Sequence, residues 1–547
     1  MKLNWIFAVK YMLAILLAWY ISSYFGFDKP YWSMMTVAII GYPDPSLSLA
    51  KMAARLVGSV IGVIVVTLIA NISLSDHWLF TSLIIIWLSV CLFMALTSRY
   101  MMPYMFSLSG YTSAIIAFGT SVYPLPMTIF NLSQERLMEV MIGIIIYTFI
   151  SYALPNRSNV PQTVLLNRKI STDRKNVLSS VFKGNYDNTM KNLSVIIADS
   201  IAYDEVSKYE SHFLSFKKAH SKALKLPILV TISIIGLVDR AFLRYEKYNQ
   251  LLSLKKEISR PSTFQSYAFF DWKDAFLNTL RLVVSLVISV MFWLNTGWEY
   301  GYILPVLVSI SFTFGITIPN ANKLAFIVFI VFIVALLVIA FSYVLKFFFL
   351  IQASSFMQAA LIMIPIFILF GVLKTVGKLA FLISHIMCIS LIFLINFTNP
   401  MSFDFVFFAN TAIALIFSII IVILMLYIIP LSSAQQIETR KVNFILQKIN
   451  TLPLNELVLI KIRNTLIMNV NSLYEHKNIN QFYVLIALIS LYELSESDQV
   501  RELMVCIINA VSIGDDKDNI LKSLNGTETI YSDSNVKYAK DIIGFLL

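Results

Sequence analysis

Long apolar runs separated by short polar turns fill two stretches of the chain. A helix of about 20 apolar residues crosses the ~30 Å hydrocarbon core of a bilayer, so we expect membrane-spanning helices. The first stretch predicts six spans, approximately at Trp5–Phe25, Tyr31–Tyr42, Leu49–Ile72, Trp78–Thr97, Met101–Val122 and Leu132–Leu154. The second predicts six more, approximately at Phe276–Leu294, Tyr302–Ile318, Leu324–Leu345, Phe356–Leu373, Leu379–Phe397 and Phe405–Ile429. The pattern predicts an all-α polytopic membrane protein with two six-span helical repeats.

The second span, Tyr31–Tyr42, is too short to cross a bilayer. It lies between Asp-Lys-Pro and Pro-Asp-Pro and would extend roughly 18 Å as a helix. Its counterpart in the second block contains Pro305 and ends at Pro319. Short or proline-interrupted spans at matching positions of two repeats indicate a transport site, because exposed helix ends there supply backbone dipoles at membrane depth. An ordinary short helix shielded by its neighbours is the alternative.

Charged residues alternate with apolar ones at helical spacing after each block. We therefore divide the chain into a six-span block at 1–155, a helical cytoplasmic domain at 156–270, a six-span block at 271–430 and a helical cytoplasmic tail domain at 431–547. The apolar segment Leu226–Val238 is only about 13 residues long, so we interpret it as a buried helix of the first cytoplasmic domain.

The two blocks align at a constant offset, which pairs Lys10 with Arg281 and Tyr31 with Tyr302. With the N-terminus inside, most basic residues of the turns fall on the cytoplasmic side, as the positive-inside rule requires, with Lys346 as the exception. Those basic residues are Lys51, Arg55, Arg99, Lys323, Lys374 and Lys378. Both termini are thus expected in the cytoplasm.

Composition agrees with this class: 58% of residues are hydrophobic and 13% are charged, against about 25% charged in soluble domains. We attribute the net charge of +11 to loops that face anionic lipid rather than to nucleic-acid binding. The three cysteines and five histidines show no metal or disulfide spacing, and no glycine-rich phosphate loop is present. We expect no enzyme activity, cofactor or metal.

Charged residues inside the spans are the candidates for chemistry, because each costs several kcal/mol unless it is paired or hydrated. Lys10 and Arg281 lie near the ends of the paired first spans, where snorkelling to lipid is the alternative. Arg55 lies one helical turn after Lys51, so both can attract an anion or anchor the span.

Arg136 and Glu139 are three residues apart on one helix and can form an ion pair. Alternatively, protonation of Glu139 would free Arg136 for an anionic substrate, as a proton-coupled carrier requires. His385 lies in the middle of a span as a proton relay or as a neutral, backbone-bonded imidazole. Aromatic residues beside the short spans can form a binding wall or an interfacial belt. They are Tyr31, Trp32, Trp298, Tyr300 and Tyr302.

The first block resembles the opening of the FUSC family, which includes fusaric acid resistance proteins and aromatic-acid exporters of the p-hydroxybenzoic acid efflux pump type. The pattern PYW, T, P, K-x-x-x-R-x-x-G-x-x-x-G matches at Pro30, Tyr31, Trp32, Thr36, Pro43, Lys51, Arg55, Gly58 and Gly62. The pattern R-x-x-E-x-x-x-G matches at Arg136, Glu139 and Gly143. The second block and the charged regions match in arrangement more than in motif.

The resemblance implies a bacterial inner-membrane exporter of aromatic carboxylic acids, driven by the proton gradient. Such an exporter contacts membrane lipids, takes a small organic anion, and in Gram-negative relatives works beside a periplasmic membrane-fusion subunit. Plant aluminium-activated malate channels look similar in the first block, so a passive gated anion channel is an alternative. A non-transporting envelope scaffold is another. A homo-oligomer of the chain is a further candidate assembly.

Overall fold

The protein is helical throughout the part of the chain that the computed structural model describes. The described residues are 4–43, 45–98, 101–121, 125–154, 162–183, 185, 187–189, 191–196, 199, 203, 269–315, 324–451, 458–459, 461–463, 465–466, 479–494, 498–513 and 534–546. Contacts divide the chain into a membrane unit, Met1–Asn159 with Asp271–Ser433, and a second unit, Val160–Phe270 with Ala434–Leu547. The predicted helix Leu226–Val238 lies outside the described residues.

The membrane unit contains two sets of six helices. The first set is α1 Trp5–Tyr24, α2 Tyr31–Ile40, α3 Pro45–Ser73, α4 His77–Thr97, α5 Met102–Gly119 and α6 Pro126–Ala153. The second set is α8 Trp272–Thr296, α9 Ile303–Gly315, α10 Leu324–Val344, α11 Phe356–Val376, α12 Lys378–Ile395 and α13 Phe405–Ile428. A π-helical turn, Leu345–Phe349, and a 3₁₀ turn, Leu350–Gln352, extend α10. The prediction of an all-α polytopic membrane protein is confirmed.

Several helices of the membrane unit begin or end at residues that cap them. Asp76 begins α4 by accepting hydrogen bonds from the backbone N–H groups of Trp78 and Leu79. Asp404 does the same for α13 through Phe407, because a carboxylate satisfies the unpaired N–H groups of a first helical turn. Gly297 ends α8 in the left-handed conformation that glycine adopts without strain.

Eight helices of the described residues are long and apolar enough to cross a membrane. The remaining four predicted spans are helices as well, but they do not meet that standard. The helices α2, α9 and α12 are shorter, and α5 carries the hydroxyl-rich run SLSGYTS. The predicted short span is confirmed: α2 has ten residues, which extend about 15 Å, half the hydrocarbon thickness.

The neighbours of each helix reveal the repeat. Within each half, the second helix packs against the first and the sixth, and the fifth packs against the third and the fourth. Between the halves, α1 packs against α11 as α8 packs against α4, and α2 packs against α12 as α9 packs against α5. These pairs are preserved when the halves are exchanged, as expected for two copies of one fold.

Close helix crossings depend on glycine. A Cβ atom at Gly58 would lie 2.6 Å from the carbonyl oxygen of Met105, and one at Gly62 would lie 2.7 Å from that of Ser109. The G-x-x-x-G spacing in α3 therefore fits the close approach of α5, as small residues do in membrane helices. The same device brings α6 against α2, where a Cβ at Gly143 would lie 2.7 Å from the carbonyl oxygen of Ser33.

We predict that Gly143→Ala destabilises the protein by about 1–3 kcal/mol, because the added methyl group meets backbone that cannot move without shifting α2. The thermal midpoint of the purified full chain in detergent measures this effect. Gly119→Ala is the matched control, since its Cβ would meet a leucine side chain at an ordinary 3.5 Å. Equal midpoints for both variants would contradict the prediction.

The second unit combines both charged regions of the chain. Its helices are α7 Gln162–Phe182, α14 Ala434–Thr451, α15 Ile479–Leu494, α16 Asp498–Ile513 and α17 Ser534–Leu546. Residues of α15 from Tyr483 to Ile489 are almost fully buried, and they share one core with Val177, Leu193 and residues of the other helices. Lys169 forms an ion pair with Asp199 at 2.8 Å. The two charged regions thus contribute to one core.

Candidate functional site

The short helix α2 is the axis of the candidate site. All ten of its residues are buried, because α1, α3, α6 and α12 pack around it. A helix this short leaves backbone groups unpaired at both ends, and the surrounding protein must satisfy them at membrane depth. Polar and charged side chains from neighbouring helices contact α2 along its length.

Arg136 of α6 lies against the first turn of α2. Its Cζ atom is 3.4 Å from the centroid of the Trp32 ring, a cation–π contact that also stacks two flat groups. Tyr31 packs against the same tryptophan with 4.6 Å between ring centroids. Arg136 is 2% exposed, and its Nε and Nη1 atoms have no hydrogen-bond partner in the described part of the chain.

Glu139 lies one helical turn further along α6. It is fully buried, and neither carboxyl oxygen has a hydrogen-bond partner among the described residues. The ion pair that the three-residue spacing suggested between Arg136 and Glu139 is therefore not formed. The guanidinium of Arg136 lies over Trp32 instead, and neither group of the R-x-x-E motif forms an ion pair with a described residue.

Arg55 of α3 reaches the middle of α2. Its Nε donates to Thr36 Oγ1 at 3.2 Å, and its Nη1 lies 3.1 Å from the Tyr104 hydroxyl and 3.4 Å from the Tyr111 hydroxyl. Thr36 in turn donates to the backbone oxygen of Trp32. Arg55 is 1% exposed, so a full positive charge is buried among neutral hydroxyls.

Two lysines lie at the C-terminal end of α2: Lys51, which the sequence offered with Arg55 as an anion-attracting pair, and Lys374, which sequence reasoning did not select. Lys374 of α11 donates to the backbone oxygens of Ala38 at 2.7 Å and Gly41 at 3.1 Å. Lys51 of α3 donates to the Tyr42 hydroxyl and lies 4.3 Å from the centroid of that ring. Lys374 was assigned to a cytoplasmic turn, and only the pairing of the halves places it beneath α2.

His385 of α12 lies at the same end of α2. Its ring stacks on Phe381 with 5.6 Å between centroids and lies 6.2 Å from Tyr42. It is 6% exposed, and Nδ1 has no hydrogen-bond partner among the described residues. The sequence allowed a neutral imidazole that is hydrogen-bonded to the backbone, but Nδ1 forms no such bond with a described residue.

The remaining predicted residues do not contact α2 in this way. Arg281 is fully buried and donates to the backbone oxygens of Ile429 and Pro430 at 2.7 Å each, so it caps α13 rather than snorkelling to lipid. Trp298 donates to Asn410 Oδ1 at 2.6 Å, and Tyr302 packs on a small apolar cluster of the second half. Lys10 is 9% exposed and makes no hydrogen bond within the described residues.

Charge is unbalanced around α2. Arg136, Arg55, Lys374 and Lys51 follow one another along roughly 15 Å of helix, and Glu139 is the carboxyl group beside them. None of the five forms an ion pair with a described residue. Buried cations without counterions are costly, and a bound anion would remove that cost. The arrangement can bind an anion, with Trp32 and neighbouring tyrosines as walls for a flat apolar group.

A family model described as the fusaric acid resistance protein family (FUSC) matches residues 4–212 and 236–455, well over half of the chain. No solved structure matches the chain.

Two kinds of curated relatives match as well. The "Uncharacterized transporter YdhK" of Escherichia coli K12 is 30% identical over 156 residues, which are 28% of this chain and 23% of that protein. The "p-hydroxybenzoic acid efflux pump subunit AaeB" of Pectobacterium carotovorum is 21% identical over 400 residues, 58% of this chain and 59% of that protein. An AaeB from Edwardsiella tarda is 31% identical over 147 residues, 25% of this chain and 22% of that protein. The chain thus matches less than two thirds of the length of these relatives.

Proposed function

Because the chain belongs to the fusaric acid resistance protein family, we propose that it is an efflux transporter that exports aromatic carboxylic acids or related organic anions. One observation carries the proposal. Three buried cations, Arg136, Arg55 and Lys374, line α2 together with the partly exposed Lys51, and none of the four forms an ion pair with a described residue, so a transported anion is the missing counterion.

The surroundings of Arg136 support an aromatic substrate. The guanidinium of Arg136 lies 3.4 Å from the centroid of the Trp32 ring, and the flat ring of an aromatic acid would stack on this face if its carboxylate drew the guanidinium away from the ring. The AaeB relatives are named for efflux of one such acid, p-hydroxybenzoic acid. We carry that substrate class to this chain as part of the proposal.

Glu139 supports proton coupling. Glu139 is fully buried without a hydrogen-bond partner among the described residues, so taking up a proton removes the large free-energy cost of burying its charge. When it releases the proton, it again carries a negative charge near Arg136. Proton release would therefore compete with the substrate anion for the guanidinium. Exchange of a proton for an organic anion follows from that competition.

The proposed orientation follows the basic turns of the chain. With both termini in the cytoplasm of a bacterial inner membrane, α2 runs from the periplasmic side at Tyr31 to the cytoplasmic side at Ile40. An exported anion would then meet Lys51 and Lys374 first and Arg136 last. AaeB is called a pump subunit, which favours a further component, a periplasmic membrane-fusion subunit, for this chain too.

The test is uptake of labelled p-hydroxybenzoate into inverted membrane vesicles that contain the full chain. We expect accumulation when the lumen is acidic, against vesicles without the chain as the control. Passive permeation of the neutral acid depletes it from an acidic lumen, so a leak cannot mimic this result. Equilibration regardless of the gradient would indicate a gated anion channel. Absence of any added flux would contradict transport of this acid and favour an envelope scaffold.

A further inference from the structure

Residues of the second half hold α2 at both ends. At its first turn, the backbone N–H of Tyr31 donates to the carbonyl oxygen of Phe397 at 3.3 Å. At its last turn, the ammonium of Lys374 donates to the carbonyl oxygens of Ala38 and Gly41. The C-terminal end of a helix carries about half a negative charge, so a cation is well suited to hold it.

Lys374 is not committed to these carbonyls alone. An ammonium group has three donors, and two of them are used here. The group is 3% exposed and lies 4.2 Å from the centroid of the Tyr11 ring, and it forms no ion pair with a described residue. A carboxylate would compete with these neutral carbonyls for the ammonium, because the opposite charge adds Coulomb attraction to the hydrogen bond.

Two further groups make this end of α2 suitable for an anion. The buried Nδ1 of His385 is unpartnered within the described chain, and its ring contacts Tyr42. Lys51 lies against the same tyrosine and is partly exposed, which provides a charged approach from outside the helix bundle. Lys374, His385 and Lys51 come from α11, α12 and α3, so both halves contribute to the cluster.

We propose that Lys374, with Lys51 and His385, forms a second anion-binding station, in which a bound carboxylate takes the ammonium from Ala38 and Gly41 and releases the C-terminal end of α2. The proposal rests on the proposed function, because the transported anion is the intended ligand. When an anion binds at this station, α2 would lose its hydrogen bonds to Lys374 and could move. The station thus links substrate entry to a change of access.

Cys388 is a native reporter for the release. Its thiol is fully buried, and its Sγ atom lies 3.4 Å from the Tyr11 hydroxyl, which itself lies 3.3 Å from the carbonyl oxygen of Ala38. With Cys91→Ala and Cys506→Ser, labelling by the neutral reagent N-ethylmaleimide reports the exposure of this thiol alone. Mass spectrometry of the purified full chain measures the labelling rate.

We expect benzoate to raise the labelling rate of Cys388 about ten- to a hundredfold, the factor that loss of one charged hydrogen bond corresponds to. The neutral analogue benzyl alcohol should have no effect. Chloride should accelerate labelling less than benzoate does, because the station is assigned to a carboxylate rather than to any small anion. Lys374→Met should label rapidly without benzoate, whereas Lys374→Arg keeps the charge and the slow, benzoate-dependent rate. Lys346→Met removes another fully buried lysine and is the matched control, with labelling unchanged.

Labelling that benzoate does not change, or that is equally slow in Lys374→Met, would overturn the station. Acceleration by chloride equal to that by benzoate would overturn its assignment to a carboxylate. Uptake of p-hydroxybenzoate is measured in vesicles of the same cysteine background. If uptake is intact and labelling does not respond, the station alone fails; if uptake is absent, the proposed function fails whatever the labelling shows.

Discussion

Replacement of Arg55 by Gln will reduce transport of p-hydroxybenzoate about ten- to a hundredfold while the thermal midpoint stays the same or rises. The transport loss follows from removing a charged hydrogen bond to the anion. The stability expectation follows from burial: Arg55 is 1% exposed and has only hydroxyl partners, so its charge is held at a cost that Gln does not carry. Uptake in inverted vesicles and the thermal midpoint in detergent measure the two effects.

Arg281→Gln is the matched control, because Arg281 is equally buried but bound to the carbonyl oxygens of Ile429 and Pro430. Its loss removes two charged hydrogen bonds to these carbonyl oxygens, worth about 1.5–3 kcal/mol each. We expect a lower thermal midpoint and normal transport per folded molecule. If Arg55→Gln loses stability and keeps transport, as expected for Arg281→Gln, Arg55 is a packing residue and the anion binds elsewhere.

Glu139→Gln will separate transport from the proton gradient. The amide keeps the size of the protonated carboxyl group but cannot release a proton, so Arg136 would no longer alternate between Glu139 and the substrate anion. We expect p-hydroxybenzoate to equilibrate across the vesicle membrane, and accumulation in the acidic lumen to fall to the level of vesicles without the chain. Counterflow of labelled substrate checks that binding survives.

Glu135→Gln provides the control within the same helix. Glu135 lies one turn before Glu139 and is partly exposed, so its carboxylate reaches water more readily than that of Glu139 and its loss should leave coupled uptake unchanged. Accumulation by Glu139→Gln at the wild-type level would contradict the proposed role. The carboxyl group would then be structural, and coupling would depend on another group, with His385 as the next to test.

Much of the membrane unit could be predicted from hydropathy, because span length and turn chemistry are local properties. The ten-residue α2, its place in the first half and the candidates Arg55, Arg136 and Glu139 all follow from the sequence. The environments of those residues do not. Arg136 and Glu139 have the spacing of an ion pair, yet the stack on Trp32 depends on how closely Gly143 lets α6 approach α2.

Long-range pairing accounts for the rest of what sequence reasoning missed. Lys374 is 336 residues away from the carbonyl oxygen of Ala38 that it binds, and no local pattern indicates that contact. By position alone it resembles an ordinary basic residue at the end of a span. Arg281 was misjudged for the same reason. It occupies the position equivalent to Lys10 in the second half, but its N–H groups donate to the carbonyl oxygens at the end of α13.

The shared core of the second unit has a consequence for biogenesis. Val177 and Leu193 pack in one core with α15, which begins at Ile479, so about 290 residues, including all of the second half of the membrane unit, are synthesised between Leu193 and that helix. At a ribosomal rate of about 5–20 residues per second, these apolar side chains wait roughly 15 to 60 seconds for α15. The nascent middle region is therefore exposed to chaperones and proteases until membrane insertion is finished.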